Sequence, residues 1–163
     1  MSSVAIIGAG DLGGTLAHTL AVRDRINEIR LVDDAADVAA GKALDIRQSC
    51  PIERSDLRLS TSGDLAMAIG ANVVVMADAA GPRPAEWSGE AGLARLRRVV
   101  EQDRDAVVVC AGASQRELMQ QAVRDGAAAR SRLIGSAPRA LESAVRAIVA
   151  LEADCAARDV TLS

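Results

Sequence analysis

Short β-branched runs alternate with longer helical patterns along all 163 residues, which predicts one α/β domain on a doubly wound parallel sheet of about six strands, with helices on both faces. Composition agrees with this class. Half of the residues are hydrophobic by type, drawn from Ala, Val, Leu and Ile with one Trp and no Phe or Tyr. Such small, branched pieces suit a sheet covered by helices. The most apolar runs are continuous rather than alternating, as in strands buried on both faces. A domain of this length buries roughly 70% of the surface its unfolded chain exposes, enough for a core without disulfides or metal.

Val4-Ala5-Ile6-Ile7 is the first predicted strand. It runs into Gly8-Ala9-Gly10-Asp11-Leu12-Gly13-Gly14, after which Leu12, Leu16, Thr19 and Leu20 mark one face of a helix. Ile29 to Asp33 is the second strand, with a helix from about Ala39 to Arg47, and a third strand lies near Leu57 to Thr61. Asn72 to Ala77 reads as a central fourth strand. The loop from Gly81 to Gly89 holds Pro82 and Pro84, which exclude helix or central strand there. A helix from about Glu90 to Arg104, a strand at Ala106 to Cys110, a helix at Gln115 to Arg124, a strand at Arg132 to Gly135 and a helix from about Arg139 to Ala156 complete the pattern. The end, Asp159 to Ser163, reads as a strand beginning.

The formal net charge is −3, with Asp and Glu scattered, which argues against nucleic acid or an anionic membrane as partner. Lys42 is the one lysine among 19 cationic residues. No apolar run approaches the ~20 residues that span a bilayer, and a cytoplasmic protein is expected. Cys50, Cys110 and Cys155 are odd in number and far apart, so neither a disulfide framework nor a metal site is expected, and the thiols are read as reduced.

Chemistry concentrates in Gly8-x-Gly10-x-x-Gly13, which follows a strand and opens a helix. In that context Gly8 permits the tight turn, Gly10 admits a pyrophosphate to the backbone, and Gly13 lets the helix pack on the sheet. Free N–H groups and the positive end of the helix dipole then receive the anion. Asp33 ends the second strand, where a carboxylate accepts from the adenosine ribose and selects NAD over NADP. The predicted Rossmann-type cofactor site is therefore Gly8, Gly10, Asp11, Leu12, Gly13, Asp33, Ala77 and Asp78, with NAD as cofactor. Two of these disagree with simple NAD binding. Asp11 lies in the first helical turn and Asp78 follows the fourth strand at the ligand-binding edge. Either carboxylate, turned toward the pyrophosphate, would weaken dinucleotide binding.

These residues resemble the amino-terminal half of NAD-dependent malate and lactate dehydrogenases, especially the bacterial and archaeal malate enzymes. The likeness runs through Val4 to Gly14, Leu31-Val32-Asp33, Gly41-Lys42-Ala43-Leu44-Asp45-Ile46, Val73-Val74-Val75 with Pro82-Arg83, and Arg132 to Gly135. Gly-Lys-Ala-Leu-Asp is the most family-specific string. The resemblance implies hydride transfer between NAD and a 2-hydroxy or 2-keto acid in an intact enzyme, assembled as a homodimer or tetramer.

It also implies that Arg83 matches the first substrate-binding arginine of the loop after the fourth strand, and that Glu142 stands for the aspartate orienting a catalytic histidine. Departures accompany these matches. The second loop arginine falls near Gly89, the asparagine ending the fifth strand is replaced within Ala111-Gly112-Ala113, and the carboxylate-clamping arginine of the last helix is Val145, with Arg146 about 100° further around. The family's catalytic histidine lies in a loop beyond the matched region, so a fragment lacking the carboxyl-terminal substrate domain, inactive alone, is expected. His18, the only histidine, reads as an ordinary helix residue. The alternative is a non-catalytic, degenerate nucleotide-binding or assembly module. A domain for S-adenosylmethionine or FAD would share the glycines but leave Gly-Lys-Ala-Leu-Asp unexplained.

Overall fold

A computed structural model describes residues 2–82 and 85–162. Six parallel strands form the main sheet: β1 (Ser3–Ile7), β2 (Glu28–Val32), β3 (Arg58–Ser62), β4 (Val73–Met76), β7 (Val107–Cys110) and β8 (Leu133–Gly135), in the order β3-β2-β1-β4-β7-β8. Between β4 and β7 a two-residue antiparallel ribbon, β5 (Asp78–Ala79) with β6 (Ala85–Glu86), stands apart from the sheet. The helices are α1 (Asp11–Val22), α2 (Ala36–Glu53), α3 (Gly89–Gln102), α4 (Gln115–Arg124) and α5 (Ala137–Glu152). This is the doubly wound α/β architecture that the alternating pattern predicts. Its strand order reverses between β1 and β4, and ligands of such sheets bind beyond the carboxyl ends of the strands at that point.

Two cores follow from the pleat of β1. Val4 and Ile6 point to one face, where Ala17, Ala21, Ala39, Ala43, Ile46 and Cys50 of α1 and α2 cover them. Ala5 and Ile7 point to the other, under Leu93, Leu96, Val99 and Val100 of α3 and Leu118 and Ala122 of α4. Full burial of a side chain such as Ile6, Ile7 or Leu31 contributes roughly 1.5–3 kcal/mol.

The sheet-facing stripe of α1 differs from the Leu12-Leu16-Thr19-Leu20 face expected from hydrophobicity. Its buried residues are Gly13, Ala17 and Ala21, while Leu12 is exposed and Leu16 and Leu20 pack from the flanks. Small residues face the sheet because α1 starts almost in contact with β1. A Cβ on Gly13 would lie 1.9 Å from the Gly8 carbonyl oxygen. Helix α2 is longer than predicted at both ends, since Ala39, Ala43, Ile46 and Cys50 carry its apolar stripe beyond Arg47. It even takes Pro51 into its last turns before Arg54 closes it in the left-handed region at φ 58°.

The strand expected at 159–163 does not form in the described residues. Ala157–Asp159 is a single exposed 3₁₀ turn instead. Helix α5 buries only Ala150 and leaves Leu141, Val145, Ile148 and Leu151 exposed. Among the described residues no helix is long and apolar enough to cross a membrane. Cys50 and Cys110 are buried, Cys155 is exposed, and all three are free thiols. Burial pushes the Cys110 thiol up to about 11, which keeps it protonated and unreactive.

Candidate functional site

The carboxyl end of β1 enters the turn through Gly8, at φ 109° in the region that glycine tolerates. Close approach adds a second requirement, because a Cβ there would lie 2.2 Å from the Asp78 carbonyl oxygen. The Gly8 N–H donates to the Val32 carbonyl at 2.7 Å and the Gly10 N–H to the Asp78 carbonyl at 2.9 Å. The turn is therefore tied to the ends of both β2 and β4.

Asp33 is 3% exposed and its carboxylate is the hub of this edge. Oδ2 accepts from the Ala9 N–H at 2.7 Å and the Ala80 N–H at 2.8 Å, and Oδ1 accepts from the Ala35 N–H at 2.8 Å. One residue thus joins the turn after β1, the segment after β4 and the start of α2. Of roughly four lone-pair positions on a carboxylate, about one remains for a ribose hydroxyl.

Asp78 faces the start of α1. Its Oδ1 accepts from the Gly13 N–H at 2.8 Å and its Oδ2 from the Leu12 N–H at 3.1 Å, and the residue is 6% exposed. Helix α1 has no cap from its own Gly10, so Asp78, 66 residues from Leu12, satisfies these first-turn donors. The room at Gly10 serves the same contact, since a Cβ there would lie 2.3 Å from Asp78 Oδ2. Ala77 is buried just before it and donates its N–H to the Ile7 carbonyl. Asp11 is exposed and lines a cleft of about 510 Å³ between α1 and α2, together with Gly14, Thr15, His18, Lys42 and Asp45.

Three residues belong to this edge that sequence reasoning did not assign to it. Lys42 threads past Gly14 to donate from Nζ to the Gly10 carbonyl at 2.7 Å. Glu86 accepts from the Ala113 and Ser114 N–H groups, each at 2.7 Å, and these bonds hold its carboxyl below the usual value. Trp87 donates its indole N–H to the Ile7 carbonyl at 3.0 Å, and Arg95 stacks on its ring at 4.1 Å while pairing with Asp34. Position in the Gly-Lys-Ala-Leu-Asp string was a signal for Lys42, and a lone Trp in a Gly/Pro-rich loop was one for Trp87. Nothing local marked Glu86.

Two further predicted residues remain. Arg83 lies outside the described residues. Glu142 sits on α5 and is bound on both oxygens by its own helix, to Arg139 at 2.7 Å and Arg146 at 3.0 Å.

The family model described as the lactate/malate dehydrogenase, NAD binding domain matches residues 2–89, which include the glycine turn, Asp33 and Asp78. The chain belongs to this family. Within the malate/lactate dehydrogenases, it is 36% identical to the malate dehydrogenase of Neorickettsia sennetsu and 37% identical to that of Paramagnetospirillum magneticum, each over 73 residues, which are 45% of this chain and 23% of the relative. The malate dehydrogenase structure from Salinibacter ruber superimposes with a TM-score of 0.78 at 27% identity, over 98% of this chain and 52% of that one. The Plasmodium falciparum malate dehydrogenase in complex with NADH superimposes with a TM-score of 0.80 at 17% identity, over 99% and 52%, which bears on the fold. The chain thus spans about half the length of the solved dehydrogenases it resembles.

Residues of the family's NAD-binding domain are present in the backbone sense: the glycine turn, the helix start and the acidic end of β2. The fit fails at one point. The N–H groups that a pyrophosphate would use at α1 already hold the carboxylate of Asp78.

Proposed function

We propose that this chain is the nucleotide-holding part of a malate/lactate-dehydrogenase-like oxidoreductase, with Gly8, Gly10, Leu12, Gly13, Asp33 and Ala77 forming the cofactor edge. One observation carries this: the glycine turn and Asp33 sit at the reversal point of the sheet, between β1 and β4, tied together by the Ala9 N–H on Asp33. When bound, NAD exchanges a hydride with the carbon that bears the hydroxyl of a 2-hydroxy acid. The chain's own part is to orient the nucleotide. Asp33 offers its remaining acceptor position to the ribose and sets a negative charge against a 2′-phosphate. The acid/base histidine is assigned to a residue outside this chain, since His18 lines the α1–α2 cleft, whereas Arg83 is the proposed first substrate-binding arginine and Glu142 the proposed partner of that histidine.

The exposed apolar residues of α5 support assembly into a homodimer or tetramer, and three free thiols support a cytoplasmic location. Calorimetric titration of the chain with NAD and with NADP tests the role of Asp33. NAD is expected to bind more tightly, and equal or tighter binding of NADP removes that role. A non-catalytic module is the second reading, favoured by the carboxylates at the starts of α1 and α4.

A further inference from the structure

We propose that Asp78 is a resident anion of the nucleotide crevice, occupying the place of the pyrophosphate, so that a dinucleotide enters only by displacing its carboxylate from the first turn of α1. This rests on the nucleotide-holding role proposed above. A helix presents its unpaired first-turn N–H groups, with the positive end of its dipole, to whatever anion approaches. In this chain both carboxylate oxygens of Asp78 engage them, at Gly13 and Leu12, 2.8 and 3.1 Å away. The space that the glycine spacing reserves at position 10 is filled by the same group, 2.3 Å from where a Cβ would stand. At 6% exposure the carboxylate is almost out of solvent. Its main chain is pinned as well, because the Asp78 carbonyl accepts from the Gly10 N–H at 2.9 Å. A pyrophosphate brought to these N–H groups therefore meets a like charge that can leave only by side-chain rotation, and like charge at short range opposes binding strongly.

The arrangement is paired. Asp78 and Glu86 face each other across the β5–β6 ribbon, and Glu86 caps the start of α4 through Ala113 and Ser114 as Asp78 caps α1. One ribbon therefore sends a carboxylate to each of two helix starts at the ligand edge. Arg95, stacked on Trp87, pairs with Asp34 and so links the end of β2 to α3. The native chain is consequently a weak holder of NAD whose crevice is closed by its own charges.

The test titrates the 163-residue chain with NAD and, separately, with inorganic pyrophosphate, comparing wild type with Asp78→Ser, Asp78→Asn and Glu86→Gln. Energy transfer from Trp87, the only tryptophan, to NADH gives a second binding readout. Asp78→Ser is expected to raise affinity for both ligands by roughly tenfold or more. Asp78→Asn, which keeps the shape and removes the charge, raises it by less and serves if the serine variant does not fold. Glu86→Gln is expected to change pyrophosphate affinity by less than either Asp78 variant, because its carboxylate serves α4. Equal or weaker NAD binding by the folded Asp78 variants than by a binding-competent wild type overturns the resident anion and leaves the NAD role standing. No NAD binding by wild type or by either folded Asp78 variant overturns both.

Discussion

The starts of α1 and α4 pose the same electrostatic problem and receive the same kind of answer, yet they are built differently. At α1 the carboxylate of Asp78 is buried, shares its cradle with Gly10, and stands beside Asp33, which binds three further backbone N–H groups. At α4 the carboxylate of Glu86 also lies against a glycine, Gly112, but it is only partly buried and binds just the Ala113 and Ser114 N–H groups. The first is a packed junction of four chain segments, and the second is a cap. Removal of the anion should therefore change ligand binding most at α1, where nothing else competes for the donors, while at α4 it should change little beyond local stability.

The packed junction is broken most severely through its glycines. Gly13→Ala places a Cβ 1.9 Å from the Gly8 carbonyl oxygen, and because the Cβ is held rigidly by its backbone and the oxygen belongs to main chain, α1 must move off β1. A loss of about 3 kcal/mol or more is expected in urea unfolding, with Gly14→Ala, which meets only the flexible Lys42 stem, costing much less. A Gly13→Ala chain as stable as wild type would show that α1 is not seated as described. Next in size is Asp33→Ala. It strands the N–H groups of Ala9, Ala35 and Ala80, and a loss of about 2–3 kcal/mol is expected by the same measurement.

This junction also separates what was legible in the sequence from what was not. The six strands were readable because β-branched runs such as Val73-Val74-Val75 report burial on both faces from composition alone. The spacing of Gly8, Gly10 and Gly13 marked the tight turn between β1 and α1 for the same local reason. The α1 face was misread because a hydrophobic pattern selects the largest residues, Leu12 and Leu16, whereas close approach selects the smallest, Gly13 and Ala17. Asp78 could be placed at the edge, but the direction of its carboxylate depends on how the segment after β4 lies against α1. That contact is made across 65 residues and leaves no periodic mark. The β5–β6 ribbon and Glu86 were hidden likewise, since a two-residue pairing beside prolines has no pattern of its own. Near the end of the chain a β-like composition was read as a strand, whereas Ala157–Asp159 forms a 3₁₀ turn.

The cap at α4 is probed through pH. Backbone N–H bonds depress the Glu86 carboxyl below its ordinary 4.5, so its contribution is complete above that value and is lost as pH falls through the lower folded value. Glu86→Gln is expected to cost about 1 kcal/mol at neutral pH, as for loss of a helix cap, with the gap to wild type closing in acid. Thermal melts at several pH values measure it. A gap independent of pH would mean that the cap does not depend on the carboxylate charge.

The smallest effect is expected at Asp11, and it sharpens the comparison most. Sequence position alone makes Asp11 and Asp78 equal candidates for the charge that opposes a pyrophosphate, and on that basis Asp11→Asn would tighten NAD binding. The structure separates them: Asp11 is exposed in the α1–α2 cleft, whereas Asp78 holds the first-turn donors. An exposed charge in the first turn is screened by water and ions and interacts weakly with the helix end, at most about 0.3–1 kcal/mol. Asp11→Asn should therefore change NAD affinity by less than about fivefold in calorimetry. It should also leave the gain from Asp78→Ser intact in the double variant, because independent sites add. A gain from Asp11→Asn as large as that from Asp78→Ser would move the competing charge out of the buried junction and onto the open face of α1.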